Sequence, residues 1–136
     1  RPLSHAARDS SPVNGGAEGA GARAAAVHDL MRARETELLQ PLLDFLGAKN
    51  SVRVLGPKNA ALRAPTVAMV LPEPGAEVAS RLAGHGIMCG GGDFYGVRCL
   101  AAQGVDPDHG ALRVSFTHYT ATEEVEKLIA ALERVL

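Results

Sequence analysis

The sequence contains few of the residues that mark secreted, metal-binding or disulfide-linked proteins. Its 136 residues include two cysteines, no tryptophan and only 4% aromatic residues. Cys89 and Cys99 make neither a disulfide framework nor a paired CxxC zinc motif, so we expect two free thiols in a reducing compartment. No apolar segment occurs among the first residues, which argues against a signal peptide. Together these absences favour a cytoplasmic protein.

An excess of charge of either sign is also missing. The 14 lysines and arginines stand against 15 aspartates and glutamates, which gives a formal net charge of −1. This balance gives no electrostatic reason to expect nucleic acid or an anionic membrane as a partner. The longest apolar runs are far shorter than the roughly 20 residues of a transmembrane helix. The length suits one domain, because single domains commonly have about 100–150 residues.

Motifs for several common catalytic chemistries fail. The glycine-rich segment 84–92 is followed by Asp93, whereas a phosphate-binding P-loop requires lysine and then serine or threonine there. The same segment has Cys89 where a dinucleotide-binding fingerprint requires glycine or alanine. The sequence has no GxSxG motif for a serine hydrolase. A zinc hydrolase is a weak hypothesis, because no recognised ligand spacing links the candidates His85, Cys89, Asp93, His109 and His118.

The composition divides the chain into two parts. Residues 1–22 are rich in glycine, alanine, serine and proline, and predict a flexible arm or a truncated edge because they bring too little apolar surface to offset the entropy of ordering. Residues 23–136 predict one folded domain. It opens with a long amphipathic helix from Arg23, which Pro41 should kink or restart and Gly47 should end.

Strands and helices alternate after that first helix. Apolar alternation predicts short strands at 51–55, 66–71, 87–89 and 111–116. Helical spacing predicts two helices and one less regular helical turn, at 76–83, 123–136 and 94–103. Thr120 or Thr122 should cap the last helix, and Glu123 should pair with Lys127. The order predicts an α/β (α+β) layer sandwich, in which helices cover a small, mainly antiparallel sheet of three or four strands.

Arg113 lies inside one of the predicted strands. Alternation sends Leu112 and Val114 to one side of the sheet and Arg113 to the other. The guanidinium then either faces solvent or lies in a cleft, where its planar fork of donors suits a carboxylate. The pattern alone favours the first interpretation.

The sequence around Arg113 resembles a family signature. Two motifs precede the amphipathic last helix, Arg113-Val-Ser115 and His118-Tyr119. The helix itself begins with Glu123-Glu124-Val125. This run resembles the C-terminal signature of the class V aminotransferase and cysteine desulfurase family. Over about residues 24–136 the layout is similar to that family, including Pro65-Thr66-Val67, Gly86-Ile87 and Phe94-Tyr95-Gly96.

The resemblance implies a fold type I architecture with pyridoxal phosphate as cofactor. In that family a large cofactor domain precedes a small domain like this one, so the implied partners are that large domain, in cis or as a separate chain, and a small amino-acid substrate. A homodimer is compatible with the family. The strand arginine of the family binds the substrate carboxylate, a role that carries over to Arg113. Gly92, Asp93 and Tyr95 would line the mouth of the site as further substrate-binding candidates.

The chain also departs from the family pattern. The family's Schiff-base lysine belongs to the large domain, and none of Lys49, Lys58 and Lys127 stands in its expected context. We therefore expect no catalysis and no bound cofactor in this chain alone. The persulfide-forming cysteine of desulfurases would fall near Tyr95, about six residues after Cys89. The alternative hypothesis is a free-standing, non-catalytic α/β module that binds a small carboxylate or a partner protein.

Overall fold

Helices and strands alternate along the part of the chain that the structure, a computed structural model, describes. The backbone is described for residues 15–136 and the side chains from residue 19 onward. Most of the predicted arm therefore lies outside the described residues. The elements, with a 3₁₀ helix at Ala60–Leu62, are α1 Gly15–Gly47, β1 Arg53–Leu55, β2 Thr66–Val70, α2 Gly75–Gly84, β3 Gly90–Gly92, α3 Val97–Ala102, β4 Ala111–Ser115 and α4 Thr122–Val135.

The described part of the chain divides into two units between Leu30 and Met31, a boundary that lies within α1. Helix α1 begins at Gly15 rather than at the predicted Arg23, although four of the eight intervening residues are glycine, a poor helix former. It continues through Pro41 without a restart and ends at Gly47, as predicted. None of the helices in residues 15–136 has both the length and the apolar character to cross a bilayer.

The four strands form one antiparallel sheet in the order β1-β2-β4-β3. In the centre, Ala68 of β2 lies opposite Arg113 of β4, and Arg113 also lies opposite Gly90 of β3. This architecture confirms the predicted fold class. The predicted strand at 87–89 is wrong, because the strand is the glycine run 90–92 itself.

The inner face of the sheet carries the hydrophobic core. Val67 and Met69 of β2 and Leu112 and Val114 of β4 alternate onto this face and are buried. Helices α1, α2 and α4 cover them with buried side chains that include Leu39, Leu42, Leu46, Val78, Leu82, Leu128 and Leu132. Each large apolar side chain buried here contributes about 1.5–3 kcal/mol relative to an exposed one.

Helix α2 packs on β3 and β4 by direct backbone contact. A Cβ atom added at Gly75 would lie 2.7 Å from the backbone nitrogen of Leu112 and would overlap the carbonyl of Ala111. A Cβ added at Gly91 would overlap the carbonyl of Gly75 and lie 2.5 Å from the Cα of Ala76. Gly91 of β3 is therefore required by the approach of α2. A strand of three glycines carries no side-chain alternation, which explains why the sequence pattern missed it.

The start of helix α4 differs in detail from the prediction. Its N-cap is Ala121, whose N–H donates to Glu124 Oε2 at 2.8 Å, so neither predicted threonine caps it. The Thr120 hydroxyl instead accepts from the N–H of Thr117 at 3.1 Å. Among the described ion pairs, Glu123 and Lys127 do not form one. The Lys127 ammonium lies 3.5 Å from the carbonyl oxygen of Gly86.

Candidate functional site

Arg113 lies at the centre of the outer face of the sheet. Its side chain is exposed, whereas its neighbours Leu112 and Val114 are buried on the opposite face. The two residues that flank it across the strands are Ala68 and Gly90. Because both flanking residues are small and Arg113 is exposed, a ligand of modest size can approach the guanidinium.

Phe94 packs against the guanidinium of Arg113. The Arg113 Cζ atom lies 4.2 Å from the centroid of the Phe94 ring, which is a cation–π stacking distance. The ring also lies directly over Gly90, where an added Cβ would be 2.9 Å from Phe94 Cε1. We call Ala68, Gly90, Phe94 and Arg113 together the Arg113 platform. In the described part of the chain, the guanidinium of this platform makes no hydrogen bond or ion pair with the protein.

A strained turn holds Phe94 in place. The Gly96 N–H donates to the Asp93 carbonyl at 2.8 Å, and the two central residues, Phe94 and Tyr95, have φ of 54° and 57°. This is the geometry of a type I′ turn, which usually has glycine or asparagine at its central positions. The Asp93 carboxylate also accepts from the Tyr95 N–H at 3.0 Å. Asp93 therefore stabilises the turn that carries Phe94.

Three of the four predicted site residues lie in one short segment of the sequence, at the end of β3 and in the turn that follows. Gly92 ends β3 with φ of 130°, and Asp93 and Tyr95 belong to the turn that follows. Arg113 comes from β4 and meets this segment through Phe94. The Tyr95 side chain is 103% exposed, so its ring packs on nothing in residues 19–136. The binding roles of these residues stay predictions.

Sequence reasoning missed the specific role of Phe94. The motif Phe94-Tyr95-Gly96 predicted a loop at the mouth of the site. Nothing in the local sequence indicated which of its two aromatic side chains would face the sheet. Phe94 and Arg113 are 19 positions apart and meet only because β3 pairs with β4. A contact between residues so far apart in the sequence can be predicted only when the register of the sheet is known.

The rest of the outer face divides into a polar end and an apolar end. At the polar end the hydroxyls of Thr66 and Ser115 lie 2.8 Å apart, and Thr66 also donates to the Val114 carbonyl at 3.2 Å. At the apolar end a small cluster forms where α3 and the following loop pack on the sheet, built from Leu100, Val105 and Ala111 with Leu55, Val70 and Phe94. The Arg113 platform therefore lies between a satisfied hydroxyl pair and an apolar cluster.

None of the three lysines belongs to the Arg113 platform. The Lys49 ammonium pairs with the Glu133 carboxylate at 2.8 Å, and Lys127 belongs to α4, on the inner side of the sheet. Lys58 is exposed in the loop after β1. The platform can therefore hold a carboxylate, but the described residues place no lysine beside it to form a Schiff base. They do not by themselves fit pyridoxal phosphate.

The two cysteines also lie outside the platform. Cys89 is half-buried and packs at the margin of the core, whereas Cys99 is exposed on α3. Burial raises the pKa of the Cys89 thiol, which lowers its thiolate fraction at neutral pH. Cys89 thus has the environment of a structural rather than a nucleophilic thiol.

Glycine at position 95 is expected to stabilise the fold. Because Tyr95 has a positive φ and no packing to lose, Tyr95→Gly should raise the free energy of unfolding by about 0.5–1 kcal/mol. Urea denaturation of the two proteins measures this difference. Tyr119→Gly is the matched control, since Tyr119 is also exposed but is not among the positive-φ residues, and it should lose stability. Equal effects at both positions would contradict the assignment of strain to the turn.

Comparisons with known proteins identify the family of the chain. The family described as Aminotransferase class-V matches residues 19–128. The aminotransferase-like protein FGM3 of Gibberella zeae is 31% identical over 114 residues, which cover 79% of this chain and 28% of that protein.

Solved structures of cysteine desulfurases share the fold. The apo enzyme from Thermococcus onnurineus NA1 has a TM-score of 0.69 and 27% identity, covering 79% of this chain and 26% of that one. The desulfurase CsdA from Escherichia coli has a TM-score of 0.64 at 23% identity, covering 76% and 25% of the two chains. The chain thus spans about a quarter of the length of the relatives it matches. Since the family match covers most of the chain, this protein belongs to the class-V aminotransferase family.

Proposed function

We propose that this chain supplies the carboxylate-binding part of a pyridoxal-phosphate-dependent enzyme that acts on an amino acid. The observation that carries the proposal is Arg113, whose exposed guanidinium stacks on Phe94 and makes no hydrogen bond with the described residues. Arg113 would hold the α-carboxylate of the substrate. The class-V family match supports a substrate of this kind.

The chemistry of the guanidinium favours a carboxylate as the ligand. Its planar fork of N–H donors matches the two oxygens of a carboxylate, and such charge-assisted pairs are about twice as strong as neutral hydrogen bonds. The guanidinium lies over the Phe94 ring, and its N–H donors make no hydrogen bond with the described residues. Ala68 and Gly90 add no side chain that would block a carboxylate at this edge.

The cofactor would be held mainly outside the residues described here. The matched relatives are about three times as long as this chain, because 76% to 79% of it covers only 25% to 28% of theirs. We propose that a large domain, in cis or as a separate chain, supplies the lysine and the phosphate-binding residues. When bound, pyridoxal phosphate withdraws electrons from the Cα of the amino acid. This chain would bind and orient the substrate carboxylate and would be inactive alone.

Reductive trapping tests the proposal that the cofactor lysine lies in the large domain and not in this chain. The 136-residue chain is incubated with pyridoxal phosphate, reduced with borohydride and mapped by mass spectrometry. We expect only low, scattered modification at Lys49, Lys58 and Lys127, since none of them belongs to the Arg113 platform. A stoichiometric adduct on a single lysine would show that the chain carries a cofactor site of its own. Such an adduct would overturn the proposed inactivity.

A further inference from the structure

We propose that Phe94 is a positioning residue, which fixes the guanidinium plane of Arg113 so that its N–H edge meets a carboxylate. This inference rests on the proposed function and adds to it the residue that orients the binding group. Its basis is the stacking of the Phe94 ring on Arg113, with Cζ 4.2 Å from the ring centroid.

An exposed arginine ordinarily samples many rotamers. Its long side chain loses much conformational freedom when it binds a ligand, and that loss weakens binding. Arg113 has no hydrogen-bond partner among the described residues that could restrict it. The Phe94 ring lies against its guanidinium, so the ring limits the orientations available before a ligand arrives.

The surrounding structure holds the ring in turn. One edge of Phe94 lies against Gly90, at a distance where a Cβ would collide with Cε1. The ring also packs on the apolar cluster of Leu100, Val105 and Ala111. Its backbone is kept in the left-handed region, with φ of 54°, by the turn from Asp93 to Gly96.

The strain of that turn fits a positioning role. Non-glycine residues in the left-handed region cost free energy and persist only where the rest of the structure enforces them. Here two successive residues, Phe94 and Tyr95, adopt it. The first of them places its ring on Arg113, whereas the second is fully exposed. The turn thus orients one aromatic ring onto the site by a conformation that the local sequence disfavours.

The test is an NMR titration of the 136-residue chain with glycine, whose carboxylate is the probe. In the wild type, the ring current of Phe94 should shift the Arg113 side-chain protons upfield of those of Arg98, an exposed arginine on α3. Phe94→Leu should remove this shift and weaken glycine binding about two- to fivefold, the effect expected for an exposed cation–π contact. Phe94→Tyr should keep the upfield shift and the affinity for glycine, because it keeps an aromatic ring. Tyr119→Leu should change neither the shift nor the affinity.

A second variant leaves both interacting residues in place. Gly90→Ala puts a Cβ where the ring now lies, so it should displace Phe94 and reduce the upfield shift of the Arg113 protons. The methyl signals of Leu112, buried on the opposite face, report whether each variant stays folded.

The outcomes separate this inference from the proposed function. If Arg113→Ala leaves glycine binding unchanged, the proposed function fails. If Arg113→Ala weakens binding but folded Phe94→Leu binds like the wild type, only the positioning role is overturned. If the side-chain protons of Arg113 and Arg98 have the same chemical shifts in the wild type, the positioning role is overturned without any variant.

Discussion

Alanine at Gly91 is expected to lower the free energy of unfolding by at least about 3 kcal/mol, the largest loss we predict for a single added methyl group. The added Cβ would overlap the backbone carbonyl of Gly75 and lie 2.5 Å from the Cα of Ala76. Backbone atoms cannot rotate away as a flexible side chain can. The start of helix α2 would have to move off β3, and with it the packing of Val78 on the core.

Denaturant unfolding of Gly91→Ala against the wild type measures this loss. Gly84→Ala is the matched control, because Gly84 lies at the other end of α2 and an added Cβ there meets nothing within 4 Å. This control should be neutral or should gain up to about 1 kcal/mol, since alanine is the better helix former. A loss below about 1 kcal/mol for Gly91→Ala would mean that α2 does not contact β3 through backbone.

Removing the guanidinium of Arg113 should weaken carboxylate binding about 10- to 100-fold. Hydrogen bonds to charged groups contribute about 1.5–3 kcal/mol each, and 1.4 kcal/mol corresponds to tenfold in affinity. The measurement is the dissociation constant for glycine or acetate with wild type and Arg113→Ala. Arg113→Lys should fall between them, because lysine keeps the charge but loses the planar fork.

Arg53→Ala is the matched control for Arg113. Arg53 also comes from a strand of this sheet, but its guanidinium donates to the carbonyl of Gln103 at 2.9 Å. Its removal lowers the net charge equally while leaving the Arg113 platform intact, so it should change the affinity little. If Arg53→Ala and Arg113→Ala weaken binding to the same extent, the ligand responds to overall charge and Arg113 is not the site.

The prediction of the fold from sequence worked best where side chains alternate or repeat clearly. Strand β4 has Leu112 and Val114 on one face and Arg113 on the other, and the structure confirms this division. The stripe of α4, with Val125, Leu128 and Leu132, was equally recognisable. Both signals depend on local periodicity, which the sequence expresses directly.

The prediction failed where side chains carry no pattern. Strand β3 consists of Gly90–Gly92, and its position was expected three residues earlier. The N-cap of α4 is Ala121, whose side chain cannot cap a helix. The Glu124 carboxylate instead accepts a hydrogen bond from the Ala121 N–H. In each case the structure depends on what another element or side chain supplies.

The candidate site also has features that the sequence predicted and features that it did not. The sequence by itself determined that Arg113 lies in a strand, on the face opposite the core, and within a signature resembling the class V family. Only the tertiary structure decided that Phe94 stacks on Arg113 and that Gly90 makes room for the ring. The physical reason is that alternation within one strand is a local property of the chain. The meeting of β3, β4 and the turn at Asp93 depends on sheet register and helix packing, which bring distant residues together.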